Sequence, residues 1–353
     1  MDTGVARVQI TDWDAYREQL KERLGFSQEI VRSVIHQARK NPKKVVYPEG
    51  EEEKIIRAAN SVFIDNIGNP VLIGNKEVIE NKIKELDFDL KNFEIIDPKD
   101  CPKCEEYSKK LYEKRMRKGI TLRAANELIH NPIYFASMMV DSGDADTLIG
   151  GLTTHYPETI KPALQCIGVK ESSKVVAGMY IVIINRKVLF FADTTVNINP
   201  TAEELADIAI TTADTVRVFN IEPKVAMLSF SNFGSSINEE SEKVVRAAKI
   251  VNKVRPDIIC DGEMQADTAL VSDILAKEFP FAKIQGGANT LIFPNLSAGN
   301  ITYKLFERIT NATVIGPILM GMKKPVHVLQ RGATVDDIIN MTALGVVGAN
   351  LND

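Results

Sequence analysis

Short runs of β-branched residues alternate with amphipathic helical patterns along most of this chain. From Lys43 onward, "KKVVYPEG" precedes "EEEKIIRAANSVF", "NPVLIG" precedes "NKEVIENKIKEL", and "NFEIIDP" precedes a helical pattern around residues 105–118. Strands that are separated by helices usually pair in parallel, with the helices covering the faces of the sheet. The alternation, which "ADTLIGG" continues, therefore predicts an α/β fold with largely parallel sheets.

The pattern changes between residues 174 and 193, where a β-hairpin is predicted. "KVVAGMYIVII" and "VLFFADTTV" flank the turn residues Asn185, Arg186 and Lys187. We expect a second α/β domain to begin at this hairpin, because strand runs and helical patterns resume after it. These are "KVAMLSFS" with a helix at 239–253, "DIICDG" with a helix at 263–279, and "TLIFPNL" with a helix from Gly299.

A capping box opens the first helix after the hairpin. Thr201 and Glu204 have the spacing of this motif and follow Pro200. The apolar face of that helix is predicted to comprise Leu205, Ile208, Ala209, Ala213 and Val216. "TVIGPILM" and "PVHVLQ" are the last predicted strands, and the glycines and prolines of "IGPILMGMKKP" between them are compatible with the chain crossing back to the first domain.

The first 27 residues precede the alternation of strands and helices and have a different pattern. Residues 4–10 have an extended pattern, and Trp13, Tyr16, Leu20 and Leu24 then follow at helical spacing. We interpret this segment as a connector or docking arm that includes a helix.

Composition excludes several classes of partner. The 353 residues are 44% hydrophobic and 25% charged, with a net charge of −4, so neither nucleic acid nor an anionic membrane is an expected partner. No apolar run approaches the roughly 18 residues of a membrane span, and "MDTGVARVQITDWD" does not have the pattern of a secretory leader, so a cytoplasmic location is expected. The four cysteines and four histidines form no ligand cluster, and no metal site is predicted.

Four loops that follow predicted strands are polar enough to bind a ligand. They are "IGGLTTHYPETIKPAL", "SFSNFGSS", "CDGEMQAD" and "GGANTLIFPNLSAGN". Each alone is also compatible with ordinary turn and cap chemistry, whereas together they predict a polar cleft at one edge of two sheets. Motifs of P-loop, Rossmann and nucleophile-elbow sites do not occur in the chain.

Arg331 is the basic residue with the most informative context. It lies in "VLQRGATVDD", between a β-branched run and a helix opened by Thr334 and Asp337, so it is placed on a tight strand-to-helix loop. A solvated turn residue is one interpretation. A phosphate ligand is the other, because Gly332 allows close approach and guanidinium binds phosphate with two hydrogen bonds.

Two further basic residues have similar alternatives. Arg115 shares a helical face with Tyr107 and Leu111, so its head group is either solvated or directed into a site. Lys161 precedes Pro162 at a predicted helix start, where a phosphate or ordinary solvent is equally suitable.

From about Gln28 to the C-terminus, the ordered motifs resemble the phosphate acetyl/butyryltransferase family. They are "KKVVYPEGEEEKIIRAA", "LIGGLTTHYPETIKPALQ", "LSFSNFGS", "DGEMQADTALV", "GGANTLIFPNLSAGNITYKL" and "IGPILMGMKKPVHVLQRGATVDDIIN". The resemblance implies two α/β domains, as in phosphotransacetylases and with the layout of isopropylmalate dehydrogenases, around an interdomain cleft where coenzyme A and phosphate meet. The implied domains are residues 28–172 with 317–353, and residues 173–316.

Departures from the family pattern indicate a degenerate active site. Gln330 replaces the serine of "LSRG", Lys161 the arginine of "T-x-R-P-A-L", and Phe233 the lysine of "S-T-K-G-S". Arg115, Arg331 and Asp337 remain. No catalytic residue is therefore predicted, although Gln330 and Asp337 occupy family positions. The resemblance implies these ligand-binding residues: Arg331, Arg115, Lys161, Gln330, Gly332, Thr159, Ser231 and Asn232.

The opening "DTGVARVQITDWDAYREQL" resembles the connector of hybrid NADP-dependent malic enzymes. That resemblance implies an isolated regulatory domain that senses acetyl-CoA, forms a homodimer and acts on a malic enzyme catalytic domain, to which NADP and a divalent metal would belong. An active phosphate acetyltransferase is the alternative. A dehydrogenase of the isopropylmalate type is a third, weaker hypothesis, because the metal-binding aspartate cluster of that class is not recognisable in the sequence.

Overall fold

The computed structural model describes residues 26–184, 187–310 and 312–351. The predicted connector residues Trp13, Tyr16, Leu20 and Leu24 lie outside these ranges, as do Asn185 and Arg186 of the hairpin turn. Within the described ranges, no helix combines the length and the apolar character that a membrane span requires.

The first sheet is fully parallel and has the strand order β11-β4-β1-β2-β3. Its strands are β1 (Lys43–Tyr47), β2 (Gly68–Ile73), β3 (Glu94–Ile96), β4 (Thr147–Gly150) and β11 (Val326–Val328). Most of their side chains are buried on both faces, as the continuous β-branched runs predict.

Helices cover both faces of this sheet. They are α1 (Phe26–Lys40), α2 (Glu53–Ile64), α3 (Lys76–Glu85), α4 (Cys104–Arg115), α5 (Leu122–Ile129), α6 (Pro132–Ser142), α7 (Tyr156–Cys166) and α13 (Val335–Asn350). Two 3₁₀ turns span Leu90–Asn92 and Met116–Lys118. Helices α1, α2 and α13 pack into one core cluster, and α4 to α7 pack into another.

The second sheet is mixed and has the order β10-β5-β6-β9-β7-β8. Its strands are β5 (Ala177–Ile184), β6 (Lys187–Ala192), β7 (Lys224–Leu228), β8 (Ile259–Met264), β9 (Thr290–Ile292) and β10 (Thr313–Met320). Its helices are α8 (Ala202–Val218), α9 (Glu239–Val254), α10 (Ala266–Leu270), α11 (Ser272–Glu278) and α12 (Leu296–Ile309). Strand β5 is antiparallel to both β6 and β10, which confirms the hairpin.

The capping box and the apolar face of α8 are confirmed. Thr201 Oγ1 accepts from the backbone N–H of Glu204, and the Glu204 carboxylate accepts from the N–H of Thr201. All five predicted core residues of α8 are buried.

Two helix predictions in the second half are wrong. The single helix predicted over 263–279 is two short helices, because Val271 has an extended backbone between them. Helix α12 begins before the predicted Gly299, because the Asn295 side chain accepts from the N–H of Ala298 and caps an earlier start.

Strand β10 connects the two sheets. It pairs with β5 on both sides of Pro317, and the chain then passes through residues 321–325 to β11 in the first sheet. The predicted domain boundary between residues 316 and 317 falls within this strand. The division into domains itself stays a prediction.

Candidate functional site

Three loops leave the first sheet at the carboxyl ends of β1, β4 and β11. The carboxylate of Glu49, just after β1, accepts from the backbone N–H groups of Gly151, Leu152 and Thr153 at 2.7–2.8 Å and from the Thr153 hydroxyl at 2.7 Å. The loop after β11 is tied to β4 by a bond from the Leu329 N–H to the Gly150 carbonyl. Adjacent parallel strands thus bring the three loops together at one edge, where α/β sheets bind ligands.

Arg331 lies on the tight loop between β11 and α13, as predicted. Its side chain is exposed and makes no hydrogen bond or ion pair with any described residue. Gly332 next to it leaves open space, since a Cβ there would meet no atom within 4 Å. Lys54 of α2 donates to the Ala333 carbonyl at 3.0 Å and thereby holds the loop between β11 and α13 against α2. The Arg331 guanidinium is therefore exposed and unpaired among the described residues, at the edge of the first sheet where β11 ends.

The predicted cap that follows this loop is also confirmed. Asp337 Oδ2 accepts from the backbone N–H and the hydroxyl of Thr334, both at 2.8 Å. Thr334 Oγ1 accepts in return from the N–H of Asp337 at 3.2 Å. The Asp337 carboxylate thus orders the first turn of α13.

Gln330 joins the two sheets. Its Nε2 donates to Tyr180 Oη on β5 at 2.8 Å, and the Tyr180 ring stacks on that of Tyr303 in α12 with centroids 4.1 Å apart. Burial, more than any neighbouring group, raises the pKa of Tyr180 well above its usual value, so its hydroxyl stays protonated. The Gln330 amide is therefore engaged by a neutral phenol, and a ligand that uses this amide has to displace or share that bond.

The loop after β6 faces the loop after β4. Tyr156, the first residue of α7, has its hydroxyl 3.3 Å from that of Thr195. Asp193 holds this second loop, because its buried carboxylate accepts from the backbone N–H groups of Gly178, Thr195, Val196 and Asn197. The site edge thus includes polar groups from both sheets.

A cavity of about 190 Å³ opens beside Gln330. Gln330, Gly332 and Asp337 line one side, and Glu307 and Arg308 of α12 line another. Arg308 forms no ion pair with a described residue. Sequence reasoning missed Arg308, because a basic residue in the last turn of a helix is usually explained by the helix dipole.

Ser231 and Asn232 lie at the other end of the second sheet. Ser231 Oγ donates to the buried Glu263 carboxylate at 2.9 Å, and Asn232 exchanges hydrogen bonds with Gln265. The hydrogen bonds of Ser231 and Asn232 to Glu263 and Gln265 thus lie around the ends of β7 and β8, whereas Gln330 bonds to Tyr180 on β5. Contact of Ser231 and Asn232 with a ligand stays a prediction.

Helix α7 begins earlier than predicted, which changes the position of Lys161. It starts at Tyr156, where the Glu158 carboxylate accepts from the N–H of His155 at 3.3 Å and Pro157 lies in the first turn, so Lys161 is an exposed residue in the middle of the helix. Thr159 is fully buried, and its hydroxyl is 2.8 Å from that of Thr154. Thr159 supports the loop after β4 from beneath; direct contact of Thr159 with a ligand stays a prediction.

Arg115 is the last residue of α4 and lies on the face of Tyr107 and Leu111, as predicted. Its neighbours include Tyr134 and Cys166, whose thiol has its pKa raised to about 12, mainly by burial. The Arg115 Nε is buried without a partner among the described residues, which leaves a donor for a ligand oxygen. Contact of Arg115 with a ligand stays a prediction.

Sequence reasoning also missed the acidic residues that build the site. Glu49, Asp193 and Glu263 each lie at or just beyond the carboxyl end of a strand and accept bonds from loop N–H groups. Their local signal is an acidic residue in "YPEG", "FFADTT" and "CDGEM". The described residues contain no group of three or more His, Cys, Asp or Glu side chains placed to hold a metal ion.

The chain is similar to proteins of one family over most of its length. Residues 29–346 match the family model for phosphate acetyl/butaryl transferases. A phosphate acetyltransferase of Clostridium acetobutylicum is 40% identical over 328 residues, which are 91% of this chain and 98% of that protein. An NADP-dependent malic enzyme of Haemophilus influenzae is 40% identical over 353 residues, which are 99% of this chain and 47% of that protein. The chain thus spans about half the length of that malic enzyme.

A solved structure has the same fold. The crystal structure of a phosphotransacetylase from Streptococcus pyogenes matches with a TM-score of 0.89 and 34% sequence identity, covering 92% of this chain and 99% of that one. The predicted α/β fold with largely parallel sheets and a phosphotransacetylase-like architecture is therefore confirmed.

Proposed function

The chain belongs to the phosphate acetyl/butaryl transferase family, and from this premise we propose that it is an acetyl-CoA-sensing regulatory domain of a hybrid NADP-dependent malic enzyme. Acetyl-CoA would bind at the edge formed by the loops after β4, β6 and β11. In this proposal the domain retains ligand binding and has lost acyl transfer.

The proposal rests on the residue type at position 330 and on the hydrogen bond that Gln330 makes. The family resemblance puts a catalytic serine at this position. Here the position presents an amide that donates to Tyr180, and residue 330 supplies no hydroxyl of its own to a leaving thiolate. Arg331 beside it is exposed and unpaired among the described residues, so a cation for a coenzyme A phosphate is retained.

The two other departures support the same proposal. Phe233 stands where the family resemblance implies a lysine, and its ring packs on Phe279 and Phe281 with centroids 5.1 and 5.0 Å apart. Lys161 offers one exposed ammonium in place of a planar guanidinium and cannot clamp phosphate with two parallel bonds. Both changes weaken a site for inorganic phosphate more than a site for a thioester.

The extent of the similarity to malic enzymes is a further support. The alignment with the Haemophilus malic enzyme covers 99% of the chain, whereas that with the Clostridium acetyltransferase covers 91%. The percentage identities are equal, so the longer alignment, which leaves almost none of the chain unmatched, is what favours the malic enzyme.

Regulation would act through the contact between the sheets. A ligand shifts a conformational equilibrium only by its difference in affinity for the two states, typically about 1–3 kcal/mol. Acetyl-CoA bound between Gln330 and Tyr180 would favour one arrangement of the sheets. A homodimer would transmit that change to the malic enzyme catalytic domain, to which NADP and a divalent metal would belong.

An active phosphate acetyltransferase is the second candidate. Arg331, Asp337 and Arg115 occupy family positions, and the Clostridium relative is as similar to this chain as the malic enzyme is. In this alternative, Gln330 would stabilise the leaving thiolate by hydrogen bonding from its amide.

One preparation of the chain tests both candidates. Acetyl-CoA binding is measured by calorimetry, and acetyl phosphate formation from acetyl-CoA and phosphate is assayed in parallel. Binding without turnover is the expected result. Turnover at an enzymatic rate would establish the transferase instead, and absence of both would overturn both candidates.

A further inference from the structure

The chain between β3 and α4 carries two cysteines, Cys101 and Cys104, which are separated by Pro102 and Lys103. The backbone N–H of Cys104 donates to the Cys101 carbonyl at 3.2 Å, which closes a four-residue turn. Lys103 has φ −88° and ψ −2°, the values of the third position in a type I turn, and proline suits the second position. We call residues 101–104 the CPKC turn.

The CPKC turn holds its two cysteines at a separation that a disulfide can bridge. A turn of this type brings its first and last Cα atoms within about 7 Å of each other, and most disulfides span Cα separations of roughly 4.4–6.8 Å. The two side chains are also close enough to interact, since burial and then the neighbouring Cys101 raise the pKa of the Cys104 thiol to about 11. Both thiols are free in the structure. The reduced pair therefore already has nearly the backbone geometry that a disulfide needs.

The two thiols differ in their surroundings. Cys101 lines a cavity of about 730 Å³ that opens beside the end of β3 and the start of α3, so a small molecule can reach it. Cys104 does not line this cavity, and its Sγ donates to the Pro98 carbonyl at 3.1 Å. The same carbonyl accepts from Nδ1 of His130 at 2.8 Å. A reagent therefore meets Cys101 first, and Cys104 can react only after it.

The other two cysteines do not share this arrangement. Cys166 and Cys260 are buried, and burial raises the pKa of each thiol to about 12. A metal ion suits the CPKC turn less than a disulfide does, because a structural zinc site takes four ligands and the described residues offer no group of three or more suitable side chains. The pair is therefore suited to thiol–disulfide chemistry.

We propose that Cys101 and Cys104 form a reversible disulfide by exchange with a small-molecule disulfide such as oxidised glutathione. The Cys101 thiolate attacks one sulfur of that molecule, forms a mixed disulfide and releases one thiol. The Cys104 thiolate then attacks the Cys101 sulfur and releases the second thiol. The two cysteines lose two electrons, the external disulfide gains them, and the two thiol protons pass through solvent to the released thiolates. The inference depends on the CPKC turn and not on the ligand of the candidate site.

Equilibration of the whole chain in glutathione buffers of increasing oxidised fraction tests the proposal. After an acid quench, the number of free thiols counted in denaturant should fall by two from the four of the chain, and dithiothreitol should restore it. Trypsin cleaves after Lys103, so the disulfide should keep the peptides 100–103 and 104–109 joined, which mass spectrometry detects. Circular dichroism checks that the fold is retained.

Single variants separate the two steps. Cys104→Ala should stop the reaction at a mixed disulfide of Cys101 with glutathione, whereas Cys101→Ala should keep its three remaining thiols. Cys260→Ala is the matched control, because it removes a buried thiol of β8 and should leave the loss of two thiols unchanged.

Retention of all four thiols in fully oxidised buffer would overturn the proposal, as would a loss of two thiols that persists in Cys101→Ala. Glutathione adducts without joined peptides in the unmodified chain would contradict the second step and overturn it as well. Joined peptides found only in covalent dimers on a non-reducing gel would assign the bond to two chains, with the same consequence.

Discussion

Arg331 and Gln330 are neighbours in the chain but have opposite environments. The guanidinium of Arg331 is exposed without a described partner, whereas the amide of Gln330 is already bonded to Tyr180. A ligand anion therefore gains more from Arg331 than from Gln330, because forming the new contact with Arg331 breaks no existing one. At the residue scale, the Arg331 guanidinium is available to an anion, whereas the Gln330 amide is already engaged.

Arg331→Ala should weaken acetyl-CoA binding without affecting the fold. A hydrogen bond to a charged group contributes about 1.5–3 kcal/mol, which is roughly a ten- to hundredfold increase in Kd. Calorimetry with acetyl-CoA measures this change. Arg123→Ala is the control, because Arg123 is exposed on α5 and paired only with Glu127. Equal affinity in the two variants would remove Arg331 from the site.

At the scale of elements, the loops of the site are held by carboxylates from other strands. Glu49 follows β1 and binds the loop after β4, although the residues it bonds are 102 to 104 positions away in the sequence. Such pairs hold the edge together through contacts between residues that are distant in the sequence.

Glu49→Ala should loosen the loop after β4. The N–H groups of Gly151, Leu152 and Thr153 would lose their acceptor, at a cost of about 1–3 kcal/mol in the free energy of unfolding. Faster amide exchange at these three residues and weaker acetyl-CoA binding are expected. Glu49→Gln retains one acceptor oxygen and should have an intermediate effect. Unchanged exchange in Glu49→Ala would show that the loop is ordered by other contacts.

His327 on β11 should make stability depend on pH. Burial lowers its pKa from 6.5 to about 4, and its Nδ1 accepts from the Leu319 N–H at 3.4 Å. Since the folded state disfavours the charged ring, this contribution to stability is present above the unfolded pKa of about 6.5 and is lost as the pH falls toward 4. The loss is about 3 kcal/mol at ~1.4 kcal/mol per unit.

Denaturant unfolding between pH 6.5 and pH 4 measures this effect. His327→Gln keeps a hydrogen-bond acceptor and does not titrate, so its free energy of unfolding should vary less over the same range. Equal slopes for the two proteins would assign the acid sensitivity to other groups.

An element can be predicted from the sequence when the residues that determine it are close together in the chain. The cap at Thr334 and Asp337 is local, so four residues are enough to predict it. The start of α7 is harder to predict, because two prolines stand five positions apart, and Pro157 occupies the first turn whereas Pro162 lies inside the helix. Glu49 could not be identified, since nothing near it in the sequence indicates that its partners follow β4.

At the scale of the whole molecule, the three departures from the family pattern lie on different parts of the framework. Gln330 follows β11 in the first sheet, Lys161 is in the middle of α7, and Phe233 follows β7 in the second sheet. Coupled residues of a catalytic site contribute in a strongly non-additive way. Single reversions should therefore have little effect on acyl transfer.

The variant that combines Gln330→Ser, Lys161→Arg and Phe233→Lys tests whether the framework still supports the family reaction. Phe233 has a positive φ of 46° and packs on Phe279 and Phe281, so Phe233→Lys alone should lower stability and serves as the control for folding. The triple variant is expected to form acetyl phosphate measurably above the unmodified chain. If it binds acetyl-CoA but forms no acetyl phosphate, these three groups do not restore acyl transfer, and other residues of the loops become the next determinants to change.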